Sequence, residues 1–355
     1  MPPSFTVVVV ACNVGKYLRE CLDSITSQKN ADFDVLIGVE DSDDDTLQIA
    51  DACAASHENV SVARLPRSGS ASRIRNFGIE RAEGEYLLFI DGDDWIEPGS
   101  IELFAKKIAE FGRLDVVPAA ATELAEDNPE SQTGIFCGNY PNGVFTGPDY
   151  LLKVCPITNL RTATWMSAYR TGFLRENRLF QPEGRRHQDD EWTPRVYLAA
   201  KRVAPLKLAY YNYRKRPGSV TTKPNPKSMA DVSENVKSFI GLWRDGALPD
   251  PLKPQFATWI IDYAYRFFSS PSSRSYPRRL RRECFMSAIG EPGRFETFRE
   301  IARRCSPSKK LMFPICALAR MEGMFGAAEF AFRRLYAPLV FGLWPGISRI
   351  LRRRR

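Results

Sequence analysis

Between residues 5 and 118, short apolar runs alternate with helical patterns, and this alternation restricts the fold more than any other feature of the 355-residue chain. Thr6–Ala11, Val35–Val39, Val60–Leu65 and Tyr86–Ile90 read as buried strands, with a further strand at Asp115–Pro118. Tyr17–Ser27, Thr46–Ala55, Ser72–Ala82 and Ile101–Phe111 read as helices between them, the first carrying Leu18, Cys21, Leu22 and Ile25 on one face. Strands separated by helices run parallel and cross over right-handedly, so the spacing predicts an α/β, mostly parallel doubly wound sheet. Ligands of such sheets bind at the carboxyl ends of the strands. Those ends are the loops Cys12–Lys16, Glu40–Asp45, Pro66–Gly69 and Asp91–Trp95, and two of the four are packed with carboxylates.

From 119 to 220 the pattern loosens, with a helix expected at Arg170–Asn177, another from Gln188 through Lys201, and strands at Val203–Pro205 and Leu208–Tyr213. Beyond Gly218 the strands stop and the Pro-rich stretch Lys223–Lys227 reads as a linker. Val236, Phe239, Ile240 and Trp243, then Phe256, Trp259, Ile260, Tyr263 and Phe267, follow the spacing of amphipathic helices.

Charge divides the chain in the same way. The formal net charge of +8 combines −12 over residues 1–195 with +20 over residues 196–355. An acidic first part makes a uniform nucleic-acid wrapper, and hence a nucleic-acid partner, a poor expectation. Eight scattered cysteines without a C-x-x-C pair read as reduced thiols in a cytoplasmic setting. No apolar run reaches the ~20 residues of a membrane span. Leu335–Ile347, broken by Pro338 and Pro345 and flanked by Arg333, Arg334, Arg349 and Arg352–Arg355, instead suits the interface of an anionic membrane, as a peripheral attachment. A solvated C-terminal helix is the alternative.

The sharpest chemical signal is Tyr86-Leu-Leu-Phe-Ile-Asp91-Gly-Asp93-Asp94-Trp95, an apolar strand running into three carboxylates. Such charges repel unless a cation neutralises them, and Mg2+ or Mn2+ held by one or two carboxylates plus substrate phosphates suits a strand-end loop. The competing structural reading is that Asp93 or Asp94 caps a helix beyond Trp95. A phosphatase of the haloacid dehalogenase type needs Thr or Val where Trp95 stands. A calcium loop starting at Asp41 needs Gly and Glu where Thr46 and Ala52 stand.

T-V-V-V-V-A-C-N-V-G-K-Y-L-R-E-C-L-D-S-I (6–25), Glu40-Asp41-Ser42, R-N-F-G-I-E-R-A-E-G-E-Y (75–86), D-G-D-D-W (91–95), H-Q-D-D-E-W-T (187–193) and Y-Y-N-Y-R-K-R-P-G-S-V-T (210–221) together resemble the family-2 glycosyltransferases of the GT-A fold. The resemblance implies inverting transfer of a sugar from a nucleotide-diphosphate donor, a UDP-sugar by preference, with a divalent cation. The acceptor would be a hydroxyl of a glycan or lipid-linked molecule in cell-envelope polysaccharide synthesis; the lipid link and a place at the inner face of the membrane are expected from the basic C-terminal segment. The resemblance makes 1–118 the nucleotide-sugar half and 119–221 the acceptor half with the base; it ends there, and the helical spacing and charge of 222–355 make that part a basic helical extension that docks on a membrane or a partner. Asp41 would bind the nucleotide base, with Arg75 nearby. Asp91 would contact ribose or metal, and Asp93 would ligate the metal. Asp189 matches the catalytic base. Two positions depart from the family: Cys12 replaces an aromatic residue, and Gln188 replaces a Glu beside the base. Asp94, Arg214 and Arg216 are expected at the donor, the arginines as a diphosphate clamp. Trp165 and Trp192 are expected either to stack on the acceptor or to lie in the core. A catalytically inactive sugar-nucleotide- or glycan-binding scaffold is the alternative function. A nucleotidyltransferase would need an N-terminal glycine-rich loop that is missing.

Overall fold

A computed structural model describes residues 3–126, 128–135, 140–216, 226–268, 276–306, 309–310, 312–321, 323–332 and 334. The chain divides into two compact units, 1–219 and 220–355. The segment 335–355, with its arginines, and most of the linker lie outside the described residues. Among the described residues no helix is long and apolar enough to cross a membrane.

In the first unit, strands β1 (Ser4–Ala11), β2 (Asp32–Glu40), β3 (Val60–Leu65) and β4 (Tyr86–Asp91) alternate with helices α1 (Gly15–Thr26), α2 (Thr46–Ser56) and α3 (Ser72–Arg81). Further along come β5 (Trp95–Ile96), α4 (Ser100–Phe111), β6 (Val116–Pro118), β7 (Ala120–Ala125), β8 (Asn128–Ile135), the one-turn α5 (Gly147–Asp149), β9 (Ser167–Arg170), α6 (Thr171–Glu176), α7 (Gln188–Ala199) and β10 (Ala209–Lys215). The main sheet has the order β3-β2-β1-β4-β9-β6. Its first four strands are parallel, and β9 runs antiparallel to both β4 and β6. Val7, Val8 and Val9 of β1, like Leu87 to Ile90 of β4, are fully buried, as central parallel strands covered on both faces must be. The register brings the strand ends level: Ala11 lies opposite Val39, Val10 opposite Asp91, and Glu40 opposite Leu65. The loops expected to carry function therefore leave the sheet along one edge.

A second sheet, β5-β10-β7-β8, was not legible in the sequence. The β7–β8 hairpin lacks apolar alternation, so nothing in A-A-T-E-L-A or N-P-E-S-Q-T-G-I distinguishes it from loop. This sheet matters to the site because β5 begins one residue after Asp94 and pairs with β10, Trp95 against Asn212 and Ile96 against Tyr211. That pairing delivers the end of β10 to the Asp91–Asp94 loop. The strand expected at Val203–Pro205 is only a pair of isolated bridges at Val203.

The second unit, by itself, is helical: α8 (Pro226–Arg244), α9 (Lys253–Ala264), α10 (Arg278–Phe285), α11 (Pro292–Arg304), α12 (Met312–Arg320) and α13 (Phe325–Ala331). Its core is aromatic, with Phe239, Phe256, Phe267, Phe268, Phe285, Phe298, Phe325 and Phe332 buried. Arg281 is buried there and pairs with the buried Glu329 at 2.9 Å, which offsets the cost of sequestering both charges.

Candidate active site

At the end of β2, Asp41 is exposed while Glu40 is buried and accepts from the backbone N–H and hydroxyl of Ser68. The Asp41 carboxylate accepts from the Arg67 backbone N–H at 3.2 Å, and Arg67 Nε donates to the Asp41 carbonyl at 2.9 Å. Asp43 pairs with Arg67 at 2.8 Å, and Asp44 accepts from the N–H groups of Gly15 and Thr46 at the starts of α1 and α2. Of the acidic run 41–45, two carboxylates thus brace the loop. Asp41 stays exposed at its rim, beside the half-buried Cys12.

The Asp91–Asp94 loop sits deeper. Gly92 passes so close to β1 that an added Cβ would stand 3.0 Å from the Val10 carbonyl and 3.1 Å from Val14 Cγ2. Asp91 pairs with Arg75 Nη2 at 2.6 Å, and Arg75 is only 4% exposed. Asp93 pairs with Arg216 Nε at 2.7 Å. Burial and the nearby Asp91 push the Asp93 carboxyl up, and Arg216 opposes them. Arg214 donates through Nε to the Asp93 carbonyl at 2.9 Å and through Nη2 to Glu20 at 2.6 Å, its guanidinium lying over Trp95 and Tyr17. Tyr17 in turn donates to Glu126 at 3.0 Å. Arg214 of β10 and Arg216, one residue past its end, therefore both reach the loop, and Asp93 already has a cationic partner. Tyr17, Glu20, Arg67 and Glu126 are residues the sequence reading missed. Only the tertiary fold brings them to the loops.

Asp94 does not belong to the donor set. It is 2% exposed, with one oxygen accepting from Tyr211 OH at 2.6 Å and the other from the Arg214 N–H at 2.7 Å. Each oxygen takes one of the hydrogen bonds that join β10 to the loop, and burial keeps the group from the surface. Nor does Asp94 cap a helix, because β5 follows it and α4 starts only at Ser100, after Gly99. Of the two readings of the tryptophans, the core is the one the structure favours. Trp192 is fully buried and donates Nε1–H to the Leu179 carbonyl at 2.8 Å. Trp165 is 7% exposed and stacks on Tyr211 with ring centres 4.2 Å apart. Their apolar bodies serve the core, so neither offers a ring face to an acceptor.

Asp189 is the second residue of α7, after Gln188 and His187, the latter holding a left-handed φ of 57° that turns the chain into the helix. Burial and the neighbouring Asp190 push the Asp189 carboxyl up to about 7, with Arg75 pulling it down. For Arg75, burial disfavours the charge, but Asp91 and then Asp189 outweigh it and hold the guanidinium charged. Arg75 Nε has no hydrogen-bond partner among the described residues. One buried cation thus pairs with the carboxylate at the β4 end and acts electrostatically on the one near the α7 start. The alignment of α3 with the α7 approach is fixed by Asn76, which donates to the Gln181 carbonyl at 2.9 Å and accepts from the Gln181 N–H at 2.7 Å. Ser70 donates to the Arg185 carbonyl at 2.8 Å, a second tie between the same segments.

A divalent cation can be tested against these donors. Among the described residues no cluster of three or more His, Cys, Asp or Glu side chains could hold a metal. Asp91 and Asp93 remain as a pair of mutually repelling carboxylates, each using one oxygen on an arginine. Two carboxylates with coordination left for phosphate oxygens fit Mg2+ or Mn2+ better than a closed protein cage would.

Residues 6–173 match the model of glycosyl transferase family 2. The chain is 28% identical over 264 residues to the glycosyltransferase EpsJ of Bacillus subtilis, covering 73% of this chain and 75% of that one. It is 31% identical over 221 residues to the poly(ribitol-phosphate) beta-N-acetylglucosaminyltransferase TarS of Staphylococcus aureus, 60% of this chain but only 36% of the relative. Residues 1–349 of TarS, solved with UDP-GlcNAc, superpose with a TM-score of 0.74 at 23% identity, covering 93% of this chain and 92% of that one. A Pyrobaculum calidifontis mannosyltransferase solved with GDP-Man and Mn2+ gives 0.50 at 15% identity, covering 94% and 88%. The architecture expected from the sequence is the one these neighbours have.

Proposed function

Since the chain belongs to the family-2 glycosyltransferases, we propose that it moves a sugar with inversion from a nucleotide-diphosphate donor to an acceptor hydroxyl of a cell-envelope glycan or polyol-phosphate polymer. The observation that carries this reading is the buried Arg75, which pairs with Asp91 at 2.6 Å and whose charge also lowers the Asp189 carboxyl. A single displacement needs its leaving-group stabiliser and its base on opposite sides of one anomeric carbon. Asp91 pairs directly with this guanidinium, and Asp189 feels its charge.

The donor base would lie against the loop of Cys12 and Asp41, and the diphosphate against the loop of Asp91 and Asp93. A uridine donor is the preferred one, as in the TarS complex. Asp91 and Asp93 would hold the divalent cation, which supplies positive charge to the departing diphosphate. Arg216, on Asp93, and Arg214, beside it, add fixed positive charge on the same side. Asp189 accepts the proton of the acceptor hydroxyl as its oxygen bonds to C1. The C1–oxygen bond to the diphosphate breaks and its electron pair leaves with the nucleotide. A base pKa of about 7 is well placed, since the carboxylate is present at neutral pH and still basic enough to take a proton.

Slow donor hydrolysis, with water as acceptor, tests the stereochemistry without knowing the acceptor. NMR of the sugar first released from an α-linked UDP-sugar should show the β anomer. Release of the α anomer would rule out single displacement.

A further inference from the structure

The two arginines that reach the Asp91–Asp94 loop are held very differently. Arg214 is anchored on three sides: Nε donates to the Asp93 carbonyl at 2.9 Å, Nη2 donates to Glu20 at 2.6 Å, and the guanidinium lies 4.5 Å from the centre of the Trp95 ring. Arg216 stands one residue past the end of β10 and, among the described residues, makes a single hydrogen bond, from Nε to Asp93 Oδ2 at 2.7 Å. Its other support is the Tyr17 ring, 5.2 Å away, which also carries the Arg214 guanidinium at 5.0 Å. The Arg216 side chain is 21% exposed, whereas that of Arg75, the partner of Asp91, is 4% exposed. Arg75 is therefore a built-in counter-ion. Arg216 is an exchangeable one, able to change partner without opening the core.

The charges decide what an exchangeable partner does here. Asp91 and Asp93 each already have a guanidinium on one oxygen. A divalent cation gains less from carboxylates matched in this way than from bare ones, and at Asp93 it is repelled by the Arg216 charge. A nucleoside diphosphate reverses the balance. Its phosphate oxygens attract the cation and Arg216 alike, and the two terminal nitrogens of Arg216, which donate to none of the described residues, form a fork suited to them.

We propose that Arg216 competes with the divalent cation for Asp93, and that the donor diphosphate ends the competition by taking Arg216 as its own partner. Cation and nucleotide then each raise the other's affinity. The inference rests on the reading of Asp91 and Asp93 as the ligands of the cation. The charge of Arg216 stays on the donor side, and only its partner changes. Coupling of this kind is reciprocal, so the gain that nucleotide gives the cation equals the gain that the cation gives nucleotide. The site is thereby biased against a cation bound alone and toward the complete donor.

Titration of free Mn2+ by its electron paramagnetic resonance signal, on the full chain alone and with saturating UDP, GDP, ADP or CDP, tests the coupling. Arg216→Gln deletes the charge at a partly exposed position outside the strand. It should tighten the binding of Mn2+ alone by roughly tenfold or more, and shrink by a similar factor the gain that the best nucleotide gives. Arg216→Lys keeps the charge and should stay within about threefold of wild type. So should the control Arg81→Gln, an exposed residue that ends α3 before β4 begins, at the opposite end of that strand from Asp91. If Arg216→Gln binds Mn2+ alone no more tightly than wild type while the nucleotide gain persists, the inference is overturned and the donor site stands. Equal tightening in Arg81→Gln would reduce the effect to net charge and overturn it too. No Mn2+ binding by wild type or variants with any of the four nucleotides would overturn the donor site itself, and this inference with it.

Discussion

Asp189→Asn should lower kcat for transfer by roughly a hundred- to ten-thousand-fold while leaving nucleotide-diphosphate affinity within about twofold, because a general base contributes about that much and touches no part of the donor. The remaining rate would come from positioning and from charge stabilisation on the diphosphate side. The pH profile sharpens the expectation. With its carboxyl at about 7, wild-type kcat should rise with pH and level off above neutrality, whereas the residual rate of the variant should lose that step. Stability should move in the opposite sense. The folded pKa lies above the ordinary 3.8, so between these values the folded chain holds a proton that the unfolded chain releases. Asp189 therefore favours folding at low pH, and that contribution is lost as pH rises through about 7. Melting curves should show Asp189→Asn gaining on the wild type between pH 5 and pH 8. A loss of nucleotide affinity equal to the loss of rate would remove Asp189 from the role of base.

Arg75→Met keeps the length of the side chain and deletes the charge that faces Asp91 and Asp189. Taking one partner from a buried ion pair costs about 3–5 kcal/mol, and here the figure is an upper bound because the Asp91 side chain is 28% exposed. Instability alone would describe any buried arginine, so the informative readout is the pH profile. Arg75 pulls the Asp189 carboxyl down, and its removal should shift the midpoint of kcat to higher pH. Arg75→Lys should restore much of the midpoint, with less of the stability, since a lysine supplies the charge without the fork. A variant whose melting temperature falls while its pH midpoint stays fixed would make Arg75 a structural brace only.

The parallel sheet was legible because Val7–Val9 and Leu87–Ile90 are continuous apolar runs, and because helical spacing separates them. The strand ends carrying Asp41, Asp91 and Asp93 followed from that alternation alone, since function in such sheets lies at one edge. The second sheet was not legible, because β7 and β8 carry no alternation, and its absence from the sequence reading explains most of the errors at the site. Without the pairing of β5 with β10, Asp94 looks like one more free carboxylate; with it, Tyr211 and Arg214 take both of its oxygens. Trp165 stood between two readings for the same reason, since Tyr211 of β10 stacks on it. Trp192 has an ordinary cause: a tryptophan in the first turn of a helix can face either way, and here it faces the core. The link from Arg75 to two carboxylates 16 and 114 positions further along the sequence is a property of the fold, and no local pattern announces it.

Metal-dependent nucleotide binding tests the central claim most directly. Thermal melting of the full chain with UDP, GDP, ADP and CDP, each with and without Mn2+, needs neither the sugar nor the acceptor. A site in which Asp91 and Asp93 share a cation with the diphosphate predicts a rise of about 5 °C or more for at least one nucleotide at a hundredfold excess over its Kd. The rise should depend on Mn2+ and disappear in Asp93→Asn. No Mn2+-dependent shift with any of the four nucleotides would contradict the donor site, and with it the transfer chemistry built on it.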